Sequence, residues 1–270
     1  MEHVGIIGFG NMGSVIAEQI KNEYSVIIFD KDKSKTINSR LKVLENVVDL
    51  VNNVDVVILA VKPQDFAPVL EEIKNYIGKK IVISIAAGIT TTFIEKIIGD
   101  AKIIRTMPNL AARFGKGITW LCRGKNATDV DLNISEEIFN YLGKTFIIEE
   151  AMMNAATAVS GSGPGFYFAL IENKPESEWE VIGVKRFIPE LTFAAEALGF
   201  DKKTSNLAAE LTYEGSFLTV KTGGLSAAEL KKQVASKGGT TEAGLEVLLK
   251  TGSLIKAVEV AAKRAEELSR

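Results

Sequence analysis

Gly8-Phe9-Gly10-Asn11-Met12-Gly13 stands directly after a β-branched run and directly before a helix-forming one. No other feature of the chain restricts its fold as much. In a G-x-G-x-x-G loop so placed, the glycines allow a tight strand-to-helix turn, let backbone N–H groups approach a pyrophosphate, and bring the helix close to the sheet. The helix N-terminus adds partial positive charge for the phosphates. All six residues, Gly8, Phe9, Gly10, Asn11, Met12 and Gly13, are therefore candidate dinucleotide contacts. Asp30 ends the second apolar run, about 20 residues on, where a carboxylate accepts hydrogen bonds from the adenosine ribose. A 2′-phosphate would be repelled there, yet Lys31, Lys33, Ser34 and Lys35 follow at once and offer it counter-charge. The choice between NADH and NADPH stays open at this level.

The pattern around the loop extends it into a domain. Residues 4–8, 25–30, 54–60, 80–85, 102–106, 117–121 and 144–148 read as strands, separated by stretches such as 13–21, 66–76, 91–97 and 129–142 whose apolar residues recur at helical spacing. Such alternation means a mostly parallel, Rossmann-type α/β sheet wrapped by helices, and unbroken runs such as VVILAV suit strands covered on both faces. After Glu150 the Ala/Leu/Glu/Lys-rich stretches are helical throughout. We expect a dinucleotide-binding domain over 1–150 and an all-helical domain over 151–270. Two further loops lie at the C-terminal ends of strands, where open α/β sheets bind ligands: Ala60-Val61-Lys62-Pro63, and the segment 84–88 with Ala86 at its centre.

Side-chain chemistry is scarce. In 270 residues there is one Cys, Cys122, and one His, His3, which excludes a disulfide framework, a Cys/His zinc site and every His-based triad. No metal is expected, and a cofactor must bring the reactivity. Lys+Arg 32 against Asp+Glu 34 leaves no field that would draw nucleic acid. The longest apolar stretches reach about half the length of a bilayer span, and the start lacks the charged and apolar regions of a signal peptide. The expectation is a cytoplasmic protein with no nucleic-acid or membrane partner.

Two Gly-rich clusters mark the helical half. Ser236-Lys237-Gly238-Gly239-Thr240-Thr241 precedes a helix, so its amides and hydroxyls suit a carboxylate or phosphate oxygen, although a simple helix cap has the same composition. Ser160-Gly161-Ser162-Gly163-Pro164-Gly165 reads as a tight turn with Pro near a helix start. Neither serine has a base at hand, so nucleophilic catalysis is rejected.

GFGNMG, AVKP, SIAAG, SGSGP and SKGGTT, in this order over nearly the whole chain, resemble pyrroline-5-carboxylate reductase. The resemblance implies an NADPH- or NADH-dependent reduction of the small molecule 1-pyrroline-5-carboxylate to L-proline, with an interlocked helical domain forming a homodimer and in some members a higher homo-oligomer. It carries the substrate loop onto Ser236, Gly238, Gly239, Thr240 and Thr241, with Ser236 and Thr241 as catalytic residues and Thr241 near the ring nitrogen. The substrate carboxylate would rest on the amides of Gly239 and Thr240. Glu150 matches an acidic residue of the substrate site, Gln233 an amide near the nicotinamide, and Asn46 an adenosine contact across a one-residue gap. Lys31, Ala60, Val61, Lys62, Pro63 and Ala86 complete the expected cofactor set.

Two departures stand out. Lys237 replaces the family's usual proline, and residues 173–190, with Pro175 and Pro189, interrupt the long dimer helix. We expect a surface excursion between packed helix ends, against the alternative of a rearranged dimer helix. Two other readings are kept: a Rossmann oxidoreductase acting on a hydroxy acid, disfavoured by the lack of Lys in residues 165–171, and a non-catalytic dinucleotide sensor whose inserted segment has spoiled the substrate site.

Overall fold

The computed structural model describes residues 3–269. The chain opens with β1 (His3–Ile7), α1 (Asn11–Ile20), β2 (Ser25–Phe29), β3 (Lys42–Val43), α2 (Val47–Asn52), β4 (Val56–Leu59) and α3 (Pro63–Ile73). It continues with β5 (Ile81–Ser84), α4 (Thr91–Ile98), β6 (Lys102–Pro108), β7 (Gly117–Arg123), α5 (Asp129–Asn140) and β8 (Gly143–Ile147). The strands make one eight-stranded sheet in the order β3-β2-β1-β4-β5-β6-β7-β8. From β3 to β6 every neighbouring pair is parallel, with Ile7 opposite both Phe29 and Leu59. All four residues of β4 are buried, as a strand covered on both faces requires. Leu50, Val57, Leu59, Phe66, Leu70, Ile73, Val82 and Ile103 form a helix-covered core.

The Rossmann-type α/β expectation holds, and β3 and α2 are additions to it. Both are too short to show a period: β3 is a two-residue edge strand and α2 a six-residue helix. The sheet order reverses at β1, between β2 and β4, which is where open α/β sheets present a ligand crevice.

The helices that follow are α6 (Met153–Ala156), α7 (Gly163–Ile171), α8 (Glu176–Ile182), α9 (Ile188–Ala197), α10 (Lys202–Thr222), α11 (Ala227–Val234), α12 (Thr240–Thr251) and α13 (Leu254–Leu268). The chain forms two compact units that do not divide at a single point, because Met107–Ile118 groups with Ala151–Ser269. The reason is close packing: a Cβ on Gly215 of α10 would lie 2.5 Å from the Ala111 Cβ. Small residues line the buried face of α10, and the hydroxyls of Ser216 and Thr219 donate back to carbonyls one turn earlier, at 2.6 and 2.7 Å.

Residues 173–190 form a mostly exposed and largely helical excursion. After a turn at 172–175 the chain is helical without a break through α8, a π-helical turn over Gly183–Phe187, and α9. Pro175 caps α8, and Pro189 opens α9 directly after the π turn, whose altered bonding pattern accommodates the missing N–H. The segment is tied down along its length. The Tyr167 hydroxyl donates to the Trp179 carbonyl at 3.1 Å and the Trp179 indole to the Lys174 carbonyl at 3.0 Å. Glu176 pairs with Lys221, and Arg186 donates to the Gly252 carbonyl at 2.6 Å. Gly183 sits so close to α10 that a Cβ there would lie 1.9 Å from the Tyr213 ring. Gly183→Ala is therefore expected to overpack this contact and lower stability by about 1–3 kcal/mol. Urea unfolding followed by circular dichroism measures it, and an unchanged midpoint would mean that the segment is not seated as described.

Candidate nucleotide and anion sites

The glycines of the β1–α1 loop have different physical reasons. Gly8 has φ +100°, its N–H donates to the Phe29 carbonyl at 2.7 Å, and a Cβ would lie 2.6 Å from the Ala60 carbonyl oxygen. A Cβ on Gly13 would lie 2.0 Å from the Gly8 carbonyl oxygen. Both positions are closed to side chains by the protein's own packing. Gly10, the N-cap of α1, has nothing within 4 Å of where its Cβ would be. Its bareness serves no internal contact and leaves the helix start open to a ligand, so these residues fit a bound dinucleotide.

Beside this loop lies a cavity of about 510 Å³, lined among others by Gly8, Gly10, Asp30, Lys31, Ala60, Val61 and Lys62. Seven expected cofactor residues thus meet in one place. Asp30, 8% exposed, is held from two sides: its carboxylate accepts the Phe9 N–H at 2.7 Å and the Asp32 N–H at 2.8 Å. The sequence reading missed Gln64, Asp65, Pro68, Val69 and Glu72, which line the same cavity from α3. Their three- and four-residue spacing after Val61 was the available signal.

Other expected contacts lie elsewhere. Phe9 lines a neighbouring cavity with Ser14, Ser39 and Arg40. Asn11, Met12 and Gly13 form the first turn of α1, and Pro63 starts α3. Ala86 is buried in the core. Asn46 caps α2, accepting the Asp49 N–H at 2.8 Å and donating to its carboxylate at 2.6 Å. Gln233 is exposed near the end of α11.

In the helical unit, the loop before α12 is braced from three directions. The Gly238 carbonyl accepts Arg264 Nε at 2.9 Å and Nη2 at 2.8 Å, and the Gly238 N–H donates to Glu242 at 2.6 Å. Thr241 is 4% exposed, and its hydroxyl donates to Ser162 Oγ at 3.1 Å, while Ser162 also meets Thr240 Oγ1 at 3.0 Å. Gly165 of α7 makes room for this, since a Cβ there would lie 2.6 Å from Thr241 Cγ2. The expected cradle of Gly239 and Thr240 amides needs correction. The Gly239 N–H is spent on the Ser236 carbonyl at 2.9 Å, which closes the turn, so the amides that face outward begin at Thr240, in the first turn of the helix. Ser162, Glu242 and Arg264 are functional supports that only the folded chain brings to this loop.

Glu150 belongs to the sheet unit. Its carboxylate accepts the Thr91 N–H at 2.8 Å and hydroxyl at 2.5 Å, and pairs with buried Arg105 at 3.0 Å. Burial first, and then the nearby Glu150 charge, push the Cys122 thiol up to about 12, so it is not a nucleophile at neutral pH. His3 is exposed and faces Asp55 at 3.5 Å. Among the described residues no group of three His, Cys, Asp or Glu is placed to hold a metal ion, and no helix is long and apolar enough to cross a membrane.

A Rossmann-type sheet with an open glycine loop, followed by a helical unit, defines the class of dinucleotide-binding oxidoreductase folds. Comparisons with known proteins narrow the class. The family model for pyrroline-5-carboxylate reductase dimerisation matches residues 183–268, beginning inside the segment expected to be inserted, and the model for NADP oxidoreductase, coenzyme F420-dependent, matches residues 3–88. A pyrroline-5-carboxylate reductase of Methanosarcina acetivorans is 33% identical over 100% of this chain and 98% of its own length. The solved pyrroline-5-carboxylate reductase of Coxiella burnetii is similar with a TM-score of 0.67 at 30% identity, covering 100% of this chain and 99% of that one. The Plasmodium falciparum pyrroline carboxylate reductase, solved with NADP bound, gives 0.65 at 29% identity, covering 100% and 98%. The chain belongs to the pyrroline-5-carboxylate reductase family.

The contrast between the loop glycines is testable. Gly10→Ala is expected to leave the melting temperature unchanged and to weaken dinucleotide binding about tenfold or more, as read by calorimetric titration. Undiminished affinity in that variant would show that nothing approaches Gly10.

Proposed function

We propose that this protein reduces 1-pyrroline-5-carboxylate to L-proline with NADPH or NADH. The observation that carries the reading is full-length membership of the family: 33% identity over all of this chain and 98% of a reductase's length. The sheet unit, read as 1–150, would bind the dinucleotide at Gly8–Gly13, Asp30, Lys31 and the 60–63 loop. The helical unit, read as 151–270, would bind the substrate at Ser236 and Gly238–Thr241 and form a homodimer, in keeping with the dimerisation match. A cytoplasmic location is part of the same reading.

The bound nicotinamide supplies the hydride, and the protein has to orient a cation that is already electron-poor. The start of α12 offers the Thr240 and Thr241 amides and partial positive charge to the substrate carboxylate. Thr241 has a more particular role. Because its proton is committed to Ser162, its oxygen presents lone pairs, which is what the N–H of a protonated imine needs. Lys237, exposed in the loop, adds a cation where the family usually has proline. Ser236 supports the turn through its carbonyl. A spoiled substrate site, the basis of the sensor reading, finds no support: the hydrogen bonds made by residues 173–190 go to such partners as Gly252, Leu254 and Lys221, and none goes to residues 236–241.

Oxidation of NADPH or NADH with 1-pyrroline-5-carboxylate, followed by absorbance, tests the activity directly. Thr241→Ala should cut turnover about 10²-fold while leaving nucleotide affinity within experimental error. If that variant lost nucleotide binding and kept turnover per bound nucleotide, Thr241 would not be at the imine.

A further inference from the structure

Resting on the reading above that the start of α12 holds the imino acid, we propose that Ser162 is a positioning residue that fixes the hydroxyl protons of Thr240 and Thr241 in opposite senses. Thr240 then donates to the substrate carboxylate, and Thr241 accepts from the ring N–H. Ser162 sits where a π-helical turn over Thr157–Gly161 passes into α7. Its N–H donates five residues back, to the Thr157 carbonyl at 2.8 Å, and its carbonyl accepts the Phe166 N–H at 3.3 Å. Such turns shift the register of the side chains that follow them and recur at functional sites.

Ser162 is 0% exposed, so its hydroxyl has to be matched within the protein. Its oxygen accepts the Thr241 proton at 3.1 Å. A serine hydroxyl has one proton of its own, and Thr240 Oγ1, at 3.0 Å, is the partner placed to take it. The opposite sense at Thr240 would give Ser162 two donors and leave its own proton buried and unmatched. The protons therefore run from Thr241 to Ser162 to Thr240, and hydroxyls in such a chain polarise one another. Thr241 is held in this sense by its methyl group, which fills the space that Gly165 leaves by having no Cβ. Its lone pairs are left for a cation, while Thr240, which accepts from Ser162, keeps its proton for an anion. A protonated imino acid carries both, a ring N–H and a carboxylate, one for each threonine.

The test is steady-state reduction of 1-pyrroline-5-carboxylate by the full-length protein, with Ser160→Ala as a control from the same buried turn. The Ser160 hydroxyl donates to the Ala156 carbonyl at 3.3 Å, and its removal should leave kcat and KM within about twofold. Ser162→Ala is expected to lower kcat about tenfold and to raise KM for the imine about tenfold, with KM for the nucleotide and the far-ultraviolet spectrum unchanged. The deciding measurement is the double variant. In a Thr241→Ala background, Ser162→Ala should change kcat by less than about twofold, because no hydroxyl is left there to orient, while the rise in KM through Thr240 persists. Losses in kcat that multiply in the double variant would make Ser162 a structural residue only and overturn the relay, as would an unaltered kcat and KM in Ser162→Ala. If the alanine variant does not fold, Ser162→Cys, whose thiol is a weaker donor and acceptor, is read against the same expectations. Absence of turnover in the unaltered protein would overturn the reading of the site and the relay together, whereas normal turnover with multiplying losses overturns the relay alone.

Discussion

Three backbone segments converge on Gly8, and the sheet unit is arranged around that convergence. The Gly8 N–H reaches Phe29 on β2, the Ala60 carbonyl after β4 lies where a Gly8 side chain would begin, and the Gly8 carbonyl lies where a Gly13 side chain would begin. With no Cβ at either glycine, β1, β2, β4 and α1 meet at backbone distance. The crevice at the point where the strand order reverses follows from that contact, and Asp30, one residue beyond β2, is carried to its rim. The Phe9 amide then locks the carboxylate in place. Loop, crevice and acidic residue are one construction.

The helical unit solves a related problem with different materials. A helix start can present amides to an anion only if the loop before it holds still, and here Arg264 and Glu242 grip Gly238 while Ser162 grips Thr240 and Thr241. The unit spends its polar groups on positioning. That economy accords with a chain whose cysteine is buried and pushed far above neutral pH, and whose histidine is exposed beside an aspartate. Chemistry of this kind depends on where a cofactor and an electron-poor substrate are held, and glycine, threonine and backbone amides suffice to hold them.

Much of this was readable along the chain, for reasons that can be named. A strand, a G-x-G-x-x-G loop and a helix occupy consecutive residues, so their relation is local, and Asp30 falls at a distance that strand and helix lengths dictate. The SKGGTT segment is local as well. What escaped was short or non-local. β3 and α2 are too brief to carry a period, and the capping of α2 by Asn46 shows only in the folded chain. The prolines of segment 173–190 read as breakers, but after a turn that ends at Pro175 the chain is helical from Glu176 onward, through a π turn seated against the Tyr213 ring. The Gly239 amide reads as a donor to a ligand, but it closes its own turn.

The sequence by itself determined the fold class, the place of the nucleotide loop, the acidic residue beside it and the poverty in acid, base and thiol groups, because each is written in consecutive residues or in composition. The tertiary structure alone decided which of those residues face a cavity and which are consumed internally. It set Lys31, Lys33 and Lys35 beside carboxylates, set Ser162 against a threonine 79 positions away, and attached residues 107–118 to the helical unit. Such pairings depend on chain segments meeting in space, and the close packing that brings them together is a property of the whole fold.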